Sequence, residues 1–321
     1  MCAKIYCIRE EGPIFRQRLE ERGHELIIGN KIELDKLADV EVICPITCPI
    51  NAEVLDHAPK CKLINKTGVG IDNIDLEECA RRGIFVTNTP DSNYLAVAEH
   101  AITLMLAVGH HIAERHDLLK GGTPNWQEAA KFMNFECLGK TIAIIGFGHN
   151  GKYTAKLAAG LGMNVVVFSE HSKPEDMPEY ATLAASLEEA LAQADVVSLH
   201  IAASPSQRDY FNAEKFAMVK KGAIFINVTR GFTVNEQDLI AALKDGTISG
   251  AGLDVMPEEP PVHISELYSM PNVLVTPHCA AQTPESRDRR QIMQVENILS
   301  VLEKGEAPEG RLRNNPVKID K

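Results

Sequence analysis

Several features are missing from this 321-residue chain, and each absence removes a class of protein. No stretch approaches the ~20 uncharged apolar residues that a bilayer-spanning helix needs. The most apolar helix candidate, Ala96 to Gly109, is short and carries Glu99 and His100. The opening residues do not read as a secretory leader, because the apolar core Ile5–Ile8 is brief and runs into Arg9-Glu10-Glu11. Basic charge is in short supply: 33 Lys and Arg stand against 44 Asp and Glu, a net charge of −11. That balance argues against nucleic acid or an anionic membrane as partner. None of the cysteines (2, 7, 44, 48, 61, 79, 137 and 279) forms a CxxC pair. They are scattered through apolar segments, where a thiol packs as a small hydrophobe in a reducing compartment. Cys44 and Cys48 have CxxxC spacing but no His-rich partner segment, so no metal is expected. Internal repeats and low-complexity tracts are absent too. What remains is a globular, cytoplasmic protein of about two domains, at roughly 150 residues each.

A strand-then-helix rhythm runs nearly end to end. Short apolar runs read as strands at Ile5–Ile8, Leu26–Ile28, Val40–Cys44, Leu63–Asn65 and Ile84–Thr87, with helical patterns at Ile14–Arg22 and Leu76–Arg82. Continuous apolar strands alternating with amphipathic helices indicate a parallel sheet covered on both faces. The rhythm then breaks into one long helical stretch, Ser92 to Lys120, suited to an interdomain linker or a dimerisation arm. A second series follows, with six strands at Thr141–Ile145, Val165–Ser169, Val196–His200, Ala223–Asn227, Ser249–Asp254 and Val273–Thr276. Six such strands make a complete doubly wound sheet. Ile292, Val295, Ile298, Leu299 and Leu302 outline a closing helix that folds back onto the first series. The polar tail Gly305–Lys321 has little to bury and is expected to be mobile.

The strongest local motif is Gly146-Phe147-Gly148-His149-Asn150-Gly151, placed between the strand Thr141–Ile145 and a helix expected over Lys152–Leu161. Gly146 permits the tight turn, Gly148 lets the backbone approach a pyrophosphate, and Gly151 lets the helix pack closely on the strand. Unpaired N–H groups at the helix N-terminus would receive the phosphates. About 20 residues on, where an acidic residue would bind the ribose of NAD, stand Ser169 and then Glu170. Serine accepts one ribose hydroxyl and does not repel a 2′-phosphate, so NAD is favoured with NADP possible. Three further segments put polar residues just past strand ends, where open α/β sheets bind ligands. They are Asn227-Val228-Thr229-Arg230, Asp254-Val255-Met256-Pro257-Glu258-Glu259 and Thr276-Pro277-His278. A guanidinium grips a carboxylate bidentately. A histidine moves a proton near neutral pH, and a neighbouring carboxylate fixes its tautomer.

These residues resemble, in order and over nearly the whole chain, the D-isomer-specific 2-hydroxyacid dehydrogenase family. The resemblance is also carried by Gly68-Val69-Gly70-Ile71-Asp72-Asn73-Ile74-Asp75, by Asn88-Thr89-Pro90 and by Ala96-Val97-Ala98-Glu99-His100. It implies an α/β protein of two doubly wound parallel-sheet domains. A Rossmann NAD-binding domain (97–281) would be inserted into a flavodoxin-like substrate domain (1–96 plus 282–321). It assigns catalysis to Arg230, Glu259 and His278, and the substrate carboxylate to the Val69 and Gly70 amides with Arg230. The dinucleotide falls to Gly146, Gly148, His149, Asn150, Gly151, Ser169, Glu170, His200, Ile201, Ser204, Val228, Thr229, Arg230 and Thr103, with Asp254 facing the nicotinamide amide.

Departures from the family pattern refine this. Ala202 stands where the family usually has Pro, and Glu259 argues against the formate-dehydrogenase branch. The loop Cys44-Pro45-Ile46-Thr47-Cys48 carries no Arg or Lys, and a buried dianion without a cation is costly. A small uncharged 2-oxo acid therefore ranks above phosphoglycerate. The expected reaction is reversible hydride transfer between a nicotinamide and C2 of such an acid, in a homodimer. The alternatives are a dinucleotide-sensing protein similar to the co-repressors of this scaffold, or a phosphoglycerate dehydrogenase.

Overall fold

The computed structural model describes residues 2–120, 123–202 and 204–316. The chain divides into two compact units, Met1–Asn93 with Thr283–Lys321, and Tyr94–Gln282. In chain order the first unit opens with β1 (Lys4–Cys7), α1 (Pro13–Glu20), β2 (Glu25–Ile28), β3 (Val42–Cys44), α2 (Ala52–Asp56), β4 (Leu63–Asn65), α3 (Leu76–Arg81) and β5 (Phe85–Thr87). The second holds α4 (Tyr94–Gly109), α5 (Ile112–Leu119), α6 (Trp126–Ala129), β6 (Thr141–Ile145), α7 (His149–Gly160), β7 (Asn164–Phe168), β8 (Ala181–Leu183), α8 (Leu187–Gln193), β9 (Val196–Leu199), α9 (Ala213–Met218), β10 (Ala223–Asn227), α10 (Glu236–Lys244), β11 (Ile248–Leu253) and β12 (Val273–Val275). The chain then returns to the first unit as α11 (Pro284–Lys304).

Both sheets are parallel throughout. The first has five strands in the order β2-β1-β3-β4-β5, the doubly wound order of flavodoxin-like folds. Its central strands are buried on both faces, which is why they read as unbroken apolar runs. Tyr6, Ile43, Ile64 and Val86 pack on one face with Leu55 and Cys79. Ile5, Val42 and Leu63 point the other way, onto Phe15 and Leu19 of α1 and Val295, Ile298 and Val301 of α11.

The second sheet has seven strands, β12-β11-β10-β9-β6-β7-β8, rather than six. The extra edge strand β8 is three partly exposed residues paired with β7, too short and too polar a signal to read from periodicity. The stretch expected as one long helix is two. α4 ends at Gly109, His111 takes a left-handed φ of 53°, and α5 leaves at 56°. A β-carbon disfavours that conformation inside a helix, so one residue there ends it. α4 is no free arm: Val97, Ala101, Leu104, Met105 and Val108 are buried against Ile142, Ile144 and Ile226 of the second sheet. Among the described residues no single helix is long and apolar enough to cross a membrane.

The tail corrects another expectation. Its described part caps the free edge of β5: Arg313 donates its amide to the Val86 carbonyl at 2.8 Å, and Asn314 both accepts from the Val86 amide and donates to the Ile84 carbonyl. Residues 317–321 of that tail lie outside the described residues. α11 is held by polar groups as much as by its apolar stripe. Asn297, 0% exposed, donates from Nδ2 to Asn65 Oδ1 and the Asn88 carbonyl, and its Oδ1 accepts from Arg311. Removing that side chain orphans the Asn88 carbonyl and part of Asn65, and an unsatisfied buried group costs about 1–3 kcal/mol. Asn297→Ala should therefore lose roughly 2–3 kcal/mol in urea unfolding; a loss no larger than that of an exposed site would show that the network does not hold α11.

Candidate active site

The phosphate cradle forms at the end of β6. Gly146 turns with φ 99°, and a β-carbon there would lie 2.6 Å from the His200 carbonyl oxygen. α7 starts at His149, earlier than the expected Lys152, so Gly151 falls in its first turn, where a β-carbon would collide with the Gly146 carbonyl. Gly148 is the N-cap and supplies no side-chain cap, and the space where its β-carbon would stand is open. The first turn of a helix points its backbone amides outward along the axis, the arrangement that favours an anion such as a pyrophosphate. The His149 ring is fixed edge-on against Tyr94, with centroids 5.9 Å apart.

The other expected dinucleotide residues line strand ends of the same sheet. Ser169 follows β7, its hydroxyl accepting from Ser172 at 2.9 Å, and Glu170 beside it is exposed. His200 follows β9 with its ring buried; Nε2 meets the Ser198 hydroxyl at 2.9 Å and Nδ1 has no protein partner. Burial holds this imidazole neutral, with its pKa lowered to about 3. Ile201 is half-buried, and Ser204 shares a hydrogen bond with Ser206. Val228 and Thr229 are buried past β10, where the Thr229 amide and hydroxyl both donate to Asn227 Oδ1. Thr103 is exposed on α4, and its hydroxyl donates to the Glu99 carbonyl one turn back at 2.8 Å.

Glu259 and His278 come together. His278 Nδ1 lies 2.6 Å from Glu259 Oε2, and Glu259 Oε1 accepts the Met256 amide at 2.8 Å. Burial alone would raise the Glu259 pKa. The bonds from His278 and Met256, with the charges of His278 and Arg230, hold it below the usual carboxylate range. Arg230 is therefore close enough to act electrostatically on the same carboxylate, and its Nη1 donates to the Thr229 carbonyl at 2.9 Å. The His278 side chain is 45% exposed, and Nε2 is the ring nitrogen that Glu259 does not engage.

Asp254 lies just past the end of β11. It is 1% exposed, and its oxygens are turned onto the turn that carries His278. Oδ1 accepts from the Thr276 hydroxyl at 2.6 Å and the Cys279 amide at 2.9 Å, and Oδ2 accepts from the Ala280 amide at 2.9 Å. The Asp254 carbonyl takes the His278 amide at 2.8 Å. His278 itself sits at φ 50°, a strained value for a residue with a β-carbon. Thr276 and His100, whose Nε2 lies 2.9 Å from the Thr276 hydroxyl, belong to this network, although the sequence reading gave them no role.

Val69 and Gly70 belong to the first unit, in the loop after β4. Asn88 holds that loop by donating to the Val69 carbonyl at 2.6 Å, and Thr89 by accepting the Gly68 amide at 3.1 Å. The cation missing from Cys44–Cys48 arrives from elsewhere: Lys66, just past β4, donates its ammonium to the Ile46 carbonyl. A lysine 20 residues away in sequence gives no local signal at that loop.

Residues 102–280 match the family described as D-isomer specific 2-hydroxyacid dehydrogenase, NAD binding domain. Over 298 residues the chain is 36% identical to the glyoxylate reductase of Pyrococcus furiosus, covering 90% of this chain and 87% of that protein. In structure it is similar to the NADPH-dependent glyoxylate/hydroxypyruvate reductase of Sinorhizobium meliloti in complex with NADP and malonate, at 27% identity and TM-score 0.86 over 100% of both chains. It is similar as well to the D-lactate dehydrogenase of Aquifex aeolicus complexed with NAD and lactic acid, at 25% identity and TM-score 0.84, over 98% of this chain and 100% of that one. The chain belongs to the D-isomer specific 2-hydroxyacid dehydrogenase family. Its activity is NAD(P)-dependent oxidoreduction between 2-oxo and D-2-hydroxy acids.

The buried His200 makes stability depend on pH in a defined window. In the unfolded chain this imidazole takes up its proton near the ordinary value of 6.5, whereas in the folded protein it does so only at about 3. Between those values the unfolded state binds the extra proton, so stability is complete above 6.5 and falls as the pH drops towards 3. Urea unfolding across that range should give a shallower acid slope for His200→Gln than for the native protein; identical slopes would mean the ring protonates freely when folded.

Proposed function

We propose that the chain reduces a small 2-oxo acid to its D-2-hydroxy acid, with His278 as the proton donor, Glu259 orienting it and Arg230 gripping the substrate carboxylate. The observation that carries this reading is the 2.6 Å hydrogen bond between His278 Nδ1 and Glu259 Oε2, with the Arg230 charge acting on the same carboxylate. When bound, the reduced nicotinamide supplies the hydride taken up at C2. Because Glu259 engages Nδ1, the ring presents Nε2, which gives its proton to the substrate carbonyl oxygen and takes it back from the hydroxyl in reverse. The Met256 amide fixes the other Glu259 oxygen, so the carboxylate cannot swing away from the ring. Arg230 pairs its planar guanidinium with the substrate carboxylate, setting which carbon faces the ring.

Glyoxylate or hydroxypyruvate fits this reading best, supported by the similarity to the glyoxylate reductase of Pyrococcus furiosus. A second reading, a phosphorylated 2-oxo acid, is favoured by Lys66, whose ammonium reaches the Ile46 carbonyl of the loop that has no cation of its own. Ser169 at the end of β7 supports use of either dinucleotide. Trp126, Met133 and Leu138, apolar side chains soon after the helices expected to pair the subunits, are 71, 84 and 81% exposed, which supports a homodimer. Light scattering of the purified chain should then give a dimer mass, and a monomer would exclude that assembly. The eight free cysteines support a reducing, cytoplasmic setting.

The test is turnover with glyoxylate, hydroxypyruvate, pyruvate and phosphohydroxypyruvate, each with NADH and NADPH. His278→Gln should lower kcat by about 10²–10⁴ while leaving NADH affinity unchanged. Native kcat in that variant would remove His278 from proton transfer. Preference for the phosphorylated acid would decide for the second reading.

A further inference from the structure

Three side chains that take no part in the proton transfer meet in the second unit: His100 on α4, Asp254 after β11, and Cys279 directly after His278. Their ligating atoms (one imidazole nitrogen, one carboxylate oxygen, the thiol sulfur) all lie within 4.8 Å of one another. We propose that they form a site for a soft divalent cation of the Zn²⁺ class, and that filling it stops turnover by disturbing the turn that presents His278.

The geometry is close to what such a cation needs. His100 Nε2 stands 3.3 Å from Asp254 Oδ1. Zinc bonds of about 2.0–2.1 Å to nitrogen and oxygen span a tetrahedral edge of about 3.3 Å, so two ligands are already at their spacing. Cys279 has only to draw its sulfur in. One imidazole, one carboxylate and one thiolate make a three-ligand set that leaves the fourth position to water, and such sites exchange their ion. The thiolate selects zinc and cadmium over magnesium and calcium, which prefer oxygen throughout. Asp254 Oδ1 already accepts the Thr276 hydroxyl and the Cys279 amide, so a cation taken up there displaces one of those bonds.

Proton positions follow from the hydrogen bonds. The Thr276 hydroxyl donates its hydrogen to Asp254, so its oxygen accepts from His100 Nε2, which carries the ring proton. On binding, that proton moves to Nδ1 through solvent and the Nε2 lone pair turns to the cation. The Cys279 S–H bond breaks, its proton leaves to solvent and a sulfur–metal bond forms, releasing one proton per cation with no change of oxidation state. Every ligand position bears on His278. Asp254 holds the amides of Cys279 and Ala280, and its carbonyl holds the amide of His278, whose φ of 50° the turn must sustain. A carboxylate drawn to a cation loosens those bonds, and the ring shifts from its place on Glu259.

Binding is independent of the reading of His278; the loss of turnover rests on it. Two readouts on the full chain in non-chelating buffer keep them apart. Cd²⁺ should bind one equivalent with an ultraviolet thiolate-to-metal band, and Zn²⁺ should inhibit 2-oxo acid reduction reversibly, with activity restored by a chelator. Cys279→Ser should keep basal turnover, lose the band and bind Zn²⁺ at least about tenfold more weakly. His100→Gln should weaken both metals while Cys279 keeps a residual band, and it carries the test if the serine variant fails to fold. A band that survives in Cys279→Ser would assign it to another cysteine and overturn the site. Stoichiometric binding with turnover untouched would overturn the inhibition.

Discussion

The carboxylate of Asp254, buried at the end of β11, accepts three hydrogen bonds from the segment Thr276–Ala280, while its carbonyl accepts a fourth. Those bonds stabilise a turn in which His278 holds a left-handed φ, and they set the direction in which its ring leaves the backbone. The ring then has one acceptor within reach on its Nδ1 side, Glu259, itself pinned by the Met256 amide. In the proposed reaction a pair held in this way would need no ordering when substrate arrives, which is where much of an enzyme's positional advantage lies. Burial alone would raise the Asp254 pKa; the bonds from Thr276 and two backbone amides, with the His100 ring 3.3 Å away, hold it below the usual carboxylate range.

Close backbone contact likewise ties the glycine turn to its sheet. Gly146 and Gly151 are required where backbone approaches backbone, and the His200 carbonyl is one of the walls that requires them. The His200 ring beside them is buried and kept neutral. In the first unit, α11 crosses the sheet with a stripe that is half apolar and half amide. Gln291, Gln294 and Asn297 are each 0% exposed, and Gln291 reaches α1 by accepting the Ile14 and Phe15 amides. A single helix thereby ties together strands far apart in sequence, which is how a discontinuous unit can be compact.

Much of this was legible in the residues. Strands such as Thr141–Ile145 and Ala223–Asn227 are apolar on both faces, and a turn residue or glycine marks their ends, so their limits could be read directly. Glu259 and His278 stood out because each follows a strand end of one parallel sheet, where topology converges side chains. Other features had no local signal. The break at His111 depends on packing around α4, and β8 is too short for periodicity to register. Asn297 and Gln294 look like the polar face of α11, because partners such as Asn65, Thr67 and Asn88 lie at or just past the ends of β4 and β5. Asp254 gives no sign in sequence of the bonds its carboxylate accepts from Thr276, Cys279 and Ala280; only the path of the following turn shows them. Lys66 was invisible at the Ile46 loop for the same reason: the contact is made in space.

The central claim is that the His278 ring moves the proton. Replacing it by glycine keeps the turn comfortable, since φ near 50° suits glycine, and removes only the ring. The decisive measurement is turnover of His278→Gly with 2-oxo acid as free imidazole is added. The account predicts activity that rises with imidazole concentration and varies with the basicity of substituted imidazoles. A variant as active as the native protein without imidazole would contradict it, as would one that is inactive at every concentration although it still binds NADH and the 2-oxo acid.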